Sequence, residues 1–264
     1  MASVYVRIIG SRLRSQLAYP TSFALDLVGQ ALGQAGELVV ILVVFGQISS
    51  IGGFSRAEVL LMYALSGIAF GLSDLAVGQL DDLPRWIRSG EFDVLLTRPL
   101  GAFTQFVTSD VQLRRLGRVL VGLAVLVVVL VQGDVAVTPL NVVLVVTTPL
   151  VGAVLISAIW VSTCAVTFWV IEGGELANAF TYGSTLSTAY PITVFSSWVR
   201  AVFCFAVPSA FVAYFPTLAL LDRPDPLGLP HGLRYASPLV AVAAVGVAAV
   251  IWRAAVRHNQ GAGS

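Results

Sequence analysis

Lysine is missing from this 264-residue chain; all fifteen basic residues are arginine. A Walker A loop, whose lysine reaches the β and γ phosphates, is therefore excluded, and so is lysine Schiff-base chemistry. Charge of either sign is scarce, at 11% of residues against roughly 25% in an average soluble domain. The net charge of +1 offers no basic field for nucleic acid, and neither end carries an acidic tail. The two cysteines, Cys164 and Cys204, lie in apolar stretches with no CxxC or Cys/His spacing and read as packing residues. The two histidines, His231 and His258, sit far apart in short polar segments, which suggests neither a metal centre nor a His-based catalytic pair. No cofactor is expected on the chain itself, and any energy it uses comes from elsewhere.

What is abundant is apolar surface: 57% of residues are hydrophobic and the mean hydropathy is +0.89. Too few polar side chains remain to coat a water-soluble core, so the natural solvent is lipid. A crossing needs about 20 mostly apolar residues. Seven stretches come close: Ser22 to Ile48, Glu58 to Leu80, Leu116 to Val131, Leu140 to Ile171, Leu176 to Phe195, Val199 to Leu221 and Pro238 to Trp252. The third reaches full length if Arg114, Arg115 and Arg118 snorkel to the headgroups.

Arginine placement sets the orientation, because cytoplasmic loops retain positive charge. Residues 1–19 hold Arg7, Arg12 and Arg14 spread through the segment, a pattern unlike a cleavable signal peptide. Val6, Ile9, Leu13 and Leu17 fall opposite Arg7, Ser11 and Arg14 on a helical wheel, as in a helix lying in the membrane interface. Arg85, Arg88, Arg98, Arg114, Arg115 and Arg118 follow the second crossing, and Arg253 and Arg257 follow the last. All three groups belong in the cytoplasm, so the number of full crossings is even and one of the seven stretches does not traverse. The segment 196–222 is the exception expected, since Pro208 and Pro216 divide it into short pieces suited to a re-entrant helix pair. An ordinary kinked crossing is the alternative.

Residues 81–110, DDLPRWIRSGEFDVLLTRPLGAFTQFVTSD, form the longest charged stretch. Pro84 suits the first turn of a helix that Gly90 ends, and Glu91 and Asp93 favour a second that Pro99 closes. Trp86, Ile87, Phe92, Leu95 and Leu96 are too apolar to be left in water, so a partner's groove or the membrane surface should cover them.

The run Ser89-Gly90-Glu91-Phe92-Asp93-Val94-Leu95-Leu96-Thr97-Arg98-Pro99-Leu100 resembles the cytoplasmic motif of permeases in the ABC-2 type transporter superfamily, in a subgroup with an arginine-rich amphipathic start. Tyr190-Pro191-Ile192, Trp198-Val199-Arg200, Pro208 and Tyr214-Phe215-Pro216 resemble that subgroup's segment after the fifth helix. The resemblance runs in order and spacing from Arg12 to Arg257. It implies a single all-α membrane domain over 1–264, with six transmembrane helices and a re-entrant pair between the fifth and sixth. It further implies a non-catalytic subunit of a multi-pass exporter in a bacterial cell membrane, multidrug efflux being one such activity. A second permease, commonly a divergent one, and two copies of an ATPase that carries ATP and Mg would complete the assembly. By position, Arg85, Trp86, Arg88, Glu91, Phe92, Asp93, Leu96 and Arg98 would form the coupling contact with the ATPase.

Polar residues at membrane depth mark the rest. Asp26, Gln30, Gln34 and Glu37 fall within about 80° of one another at 100° per residue. An ionised carboxylate at bilayer depth costs roughly 2.5 kcal/mol or more, so this stripe faces protein or water. It is either a wall of the translocation path, with Gln30, Gln34 and Glu37 leading, or a hydrogen-bonded helix contact, or, for Asp26, simply a position close to the headgroups. The fifth crossing, the least apolar, carries Asn178, Thr181 and Thr185, further candidates for the path; the resemblance implies that the first and fifth helices flank the subunit interface. Gly29 and Gly33, and Gly67 and Gly71, form GxxxG pairs that let helix backbones approach. The rival reading is an ion-gradient-driven secondary transporter working through Asp26, Glu37 or Asp74, though the internal repeat common in such carriers is missing. Paired acids Asp81 and Asp82 are explained by charge at a helix start without a metal. The acidic stripe and apolar walls suit a hydrophobic or amphipathic substrate.

Overall fold

The computed structural model describes residues 10, 14, 16, 18–99, 101–110, 112–133, 135–170, 183 and 187–262. Most of the interfacial segment 1–19 and half of the stretch Leu176 to Phe195, with Asn178, Thr181 and Thr185, lie outside the described residues. The helices are α1 (Pro20–Phe45), α2 (Arg56–Val77), α3 (Leu83–Ser89), α4 (Glu91–Leu96), α5 (Ala102–Val107), α6 (Leu116–Gln132), α7 (Pro139–Ala165), α8 (Ser197–Ala201), α9 (Tyr214–Leu220) and α10 (Ser237–Ala262). Five helical runs are long and apolar enough to cross a bilayer: Pro20–Phe45, Arg56–Ser89, Leu113–Gln132, Pro139–Phe168 and Ser237–Asn259. They correspond to the predicted first, second, third, fourth and last crossings, and the chain is an all-α membrane protein.

α2 is the centre of the bundle. Of its most apolar 18-residue window 78% is buried, against 11% for α1. Lipid gives helices no hydrophobic reason to associate, so close contact rests on small residues at the seams. A Cβ on Gly71 would stand 3.1 Å from the Val119 backbone nitrogen, and one on Gly122 would stand 3.0 Å from the Ile68 nitrogen, so α2 and α6 meet nearly backbone to backbone. A Cβ on Gly117, in turn, would meet the Leu27 carbonyl oxygen at 2.6 Å, which wedges α6 against α1. A Cβ on Gly29 or Gly33 would meet no neighbouring element within 4 Å. Of the two glycine pairs, Gly67–Gly71 contributes one close approach and Gly29–Gly33 contributes none within the described chain. α7 packs on the far side of α2, and α10 packs on α7.

The segment Ser197–Ala206 and the segment Ser209–Leu220 meet at a bend of 70°. Pro208 stands at the break, as its missing N–H and ring require. Pro216 does not break anything, because it falls in the first turn of α9, where helices tolerate proline. The part before the bend is itself irregular, α8 running into a π-helical turn at Val202–Ala206.

At the end of the bundle opposite α3–α5, the loops are fastened by polar contacts. Ser55 and Glu58 form a capping box at the start of α2. Arg223 donates to Glu58 Oε1 at 2.6 Å and to the Gly53 carbonyl at 2.7 Å, and its guanidinium lies 4.2 Å over the Phe54 ring.

Candidate functional site

Two constellations hold the described residues that the sequence marks as candidates for function. The first is the segment between α2 and α6. Pro84 sits in the first turn of α3, Gly90 adopts a left-handed φ of 75° that ends it, and α4 stops at Thr97, two residues before Pro99. These are the two short helices predicted; α5, after Gly101, is a third that the sequence reading did not separate out. The left-handed position suits glycine because it lacks the Cβ that would clash there.

The expectation that a partner or the membrane must cover the apolar side chains needs correction, because the chain itself buries Phe92 and Leu95 and partly covers Trp86, Ile87 and Leu96. Phe92 is fully buried. Its ring lies edge-on to Phe168 at 5.0 Å and to Phe106 and Trp252 at 6.2 and 6.3 Å. Trp86 stands perpendicular to Phe106 at 5.1 Å, and Phe103 reaches Trp252 at the same distance. Leu95 is buried, and its carbonyl accepts from Gln105 Nε2 at 3.2 Å. Trp86, Ile87 and Leu96 are half-buried. This aromatic clasp fixes α3–α4 to the foot of α7, where Phe168 lies, and to the last turns of α10. Asp93 adds a polar tie, accepting from Asn259 Nδ2 at 2.9 Å.

The opposite face of the segment is charged and open. Arg85, Arg88, Glu91, Asp93 and Arg98 are exposed. Arg85 lies 3.6 Å from Glu91 and 3.8 Å from Asp82, exposed pairings of small energetic weight. Val94, next to Asp93, is also exposed, and no local signal in the sequence separates it from the apolar letters around it. Of the eight residues assigned to coupling, five present polar groups outward, Trp86 and Leu96 are partly covered, and Phe92 points inward.

The second constellation is intramembrane. Gln34 is buried, whereas Asp26, Gln30 and Glu37 are exposed. The Tyr63 hydroxyl donates to the Gln34 carbonyl at 2.6 Å and accepts from Gln34 Nε2 at 2.6 Å. Arg118 donates from Nε to Gln34 Oε1, reaches Glu37 Oε1 at 3.3 Å and lies 4.2 Å over the Phe70 ring. Nearby, Arg115 holds Asp74 at 3.3 Å and also donates to the Asp74 carbonyl. Arg115 and Arg118 therefore do not snorkel outward; each turns inward to a carboxylate on α2 or α1. Tyr63 and Arg118 were missed as members of this cluster. The signal was present, since an arginine inside an apolar run demands a counter-charge, and Glu37 was the candidate on a neighbouring helix.

This pairing bears on the chemistry. Of the three carboxylates an ion-driven carrier would use, Asp74 and Glu37 each face an arginine, and Asp26 alone stands exposed without an ion pair among the described residues. Among the described residues no group of three or more His, Cys, Asp or Glu side chains is arranged to hold a metal.

The model of the ABC-2 family transporter proteins matches residues 31–263, which takes in α3–α5 and the Gln34–Tyr63–Arg118 cluster and leaves Asp26 and Gln30 outside. The chain belongs to that family. It is thus a permease, the membrane-embedded transport subunit of an ABC transporter, in a family that is generally non-catalytic and works with an ABC ATPase. No curated protein and no solved structure matches this permease.

Proposed function

We propose that this ABC-2 permease is half of the translocation path of an ATP-driven exporter for a hydrophobic or amphipathic substrate, and that α3–α4 is its coupling element. The observation that carries the reading is the two-sidedness of that segment: one face bears Arg85, Arg88, Glu91 and Arg98 in the open, while the other is gripped by Phe168 and Trp252. A surface of that kind takes a push from outside and delivers it to α7 and α10. The outward groups meet a separate ATPase chain, present in two copies and carrying ATP and Mg, while Phe92, Trp86 and Leu96 transmit instead of touching it. ATP binding on the partner then favours one helix arrangement and hydrolysis restores the other.

A second permease, a divergent relative or a second copy, covers the open side of α1. Gln30 and Glu37 line the path there, Gln34 braces them from behind, and Asn178, Thr181 and Thr185 of the fifth crossing are assigned to the same path from the sequence. Both termini and α3–α5 lie on the cytoplasmic side of a bacterial cell membrane, and the bent pair 196–222 re-enters from the outer face.

The test is charge reversal on the open face. Arg88→Glu and Glu91→Arg should leave the permease as stable as the parent, while abolishing co-purification with the ATPase and stimulation of its hydrolysis. Unchanged association and stimulation in both variants would sink coupling through this segment. Transport that survives ATP depletion and collapses with a protonophore would favour an ion-driven carrier instead.

A further inference from the structure

Between α2, α7 and α10, close to the α3–α5 end of the bundle, lies a cavity of about 470 Å³. Its walls are apolar, formed by Leu72, Val77, Ala153, Val161, Ala248 and Phe103 among others. Polar groups are few: the Ser157 hydroxyl, which is engaged with Ser73 Oγ at 2.9 Å, and the indole of Trp252. The cavity opens sideways, since Ala76, Val154 and Val245 on its rim are exposed, one from each of the three helices. In a bilayer that opening faces acyl chains.

The charged lining residue is Arg253, at the edge nearest the end of α10. It is exposed and forms no ion pair among the described residues. Arg257, one turn further along the same face, is likewise exposed and without an ion pair. By contrast, Arg115 and Arg118, at the same end of the bundle, each have a carboxylate. An apolar slot with an uncompensated double cation at its mouth is complementary to a molecule with a hydrocarbon body and an anionic head. Basic sites between transmembrane helices at the headgroup level are the general setting in which anionic lipids are held.

We propose that this slot is a resident site for an anionic phospholipid, one acyl chain lying between α2, α7 and α10 and the phosphate at Arg253 and Arg257. The lipid comes from the leaflet on the α3–α5 side. It is a bound component and not the cargo, because the polar stripe of α1 lies on a different face of the bundle. Trp252 and Phe103 belong both to the wall of the slot and to the aromatic clasp, so the lipid chain rests against the element that anchors α3–α4. The proposal does not depend on the coupling reading, and its test requires no ATPase.

Native mass spectrometry of the full chain released from micelles, titrated with dioleoyl phosphatidylglycerol or dioleoyl phosphatidylcholine, reads the site directly. The parent should retain one phosphatidylglycerol with about five-fold preference over phosphatidylcholine for each arginine engaged. Arg253→Gln should lower that preference by about the same factor without changing the melting temperature. Ala76→Phe fills the slot from its exposed rim and should remove retention of both lipids; Val245→Trp, on the opposite wall, gives the same reading if the first variant does not assemble. Equal retention of the two lipids by the parent would overturn the proposal, as would an unaltered preference in Arg253→Gln. Undiminished phosphatidylglycerol binding when the slot is filled would mean that the head binds at the surface with no chain inside, and would overturn it as well.

Discussion

α1 and α2 are both long, apolar helices suited to a bilayer, yet α2 is enclosed by its neighbours and α1 is nearly bare. The difference follows from where small residues fall. α2 places Ala64, Ser66, Gly67, Ala69, Gly71 and Ser73 within ten positions, so that α6 and α7 approach it from opposite sides. α1 has Gly29, Gly33 and Gly36, but they look into open space, and it is held chiefly by α6, through Gly117 and the Arg118 cluster. Hydropathy measures fitness for lipid; it does not say which helix is already surrounded and which still has a face to give away.

That contrast can be broken most directly by bulk. Gly122→Leu, at a seam where backbone atoms of α2 stand about 3 Å from the new Cβ, should cost about 3 kcal/mol of stability, read by titrating the purified chain from mild detergent into dodecyl sulfate. Gly33→Leu on α1 should fall within about 0.5 kcal/mol of the parent. Equal losses would show that α1 is no more open than α2. A smaller effect separates two glutamines of one stripe. Gln34→Leu removes partners of Tyr63, Glu37 and Arg118 together and should cost about 2 kcal/mol in the same titration, while Gln30→Leu should be silent in the isolated chain. The smallest distinction lies within α2 itself. A Cβ at residue 67 meets only the end of Gln34 at 3.7 Å, whereas at residue 71 it meets Val119 Cγ2 at 2.6 Å. Gly71→Ala should therefore lose about 1 kcal/mol and Gly67→Ala almost nothing.

Much of this architecture is legible in the letters. Five crossings follow from length and apolarity, and α3 and α4 follow from Pro84, Gly90 and Pro99, because glycine and proline act through local backbone geometry. The break at Pro208 is legible for the same reason. What a sequence does not display is direction. Phe92 and Val94 are both apolar letters in one motif, but one is locked among three aromatic rings and the other is exposed. That choice is made by Phe106, Phe168 and Trp252, which arrive from distant parts of the chain. Arg115 and Arg118 mislead similarly: an arginine near a helix end has a cheap route to the headgroups, and only the placement of Asp74 and Glu37 draws it inward. Pro216 shows that even a strong local signal depends on its place within a turn.

The inward arginines also dictate a schedule. Glu37 leaves the ribosome 81 residues ahead of the arginine that neutralises it, and Asp74 leaves 41 ahead of its own. At roughly 5–20 residues per second, the first acid waits several seconds for its counter-ion while a bare carboxylate in hydrocarbon is penalised by about 2.5–3.5 kcal/mol. On that penalty α1 and α2 should stay beside the insertion machinery until α6 emerges. A nascent chain halted before residue 115 should be extractable from the membrane by alkali, and one halted past α6 should not.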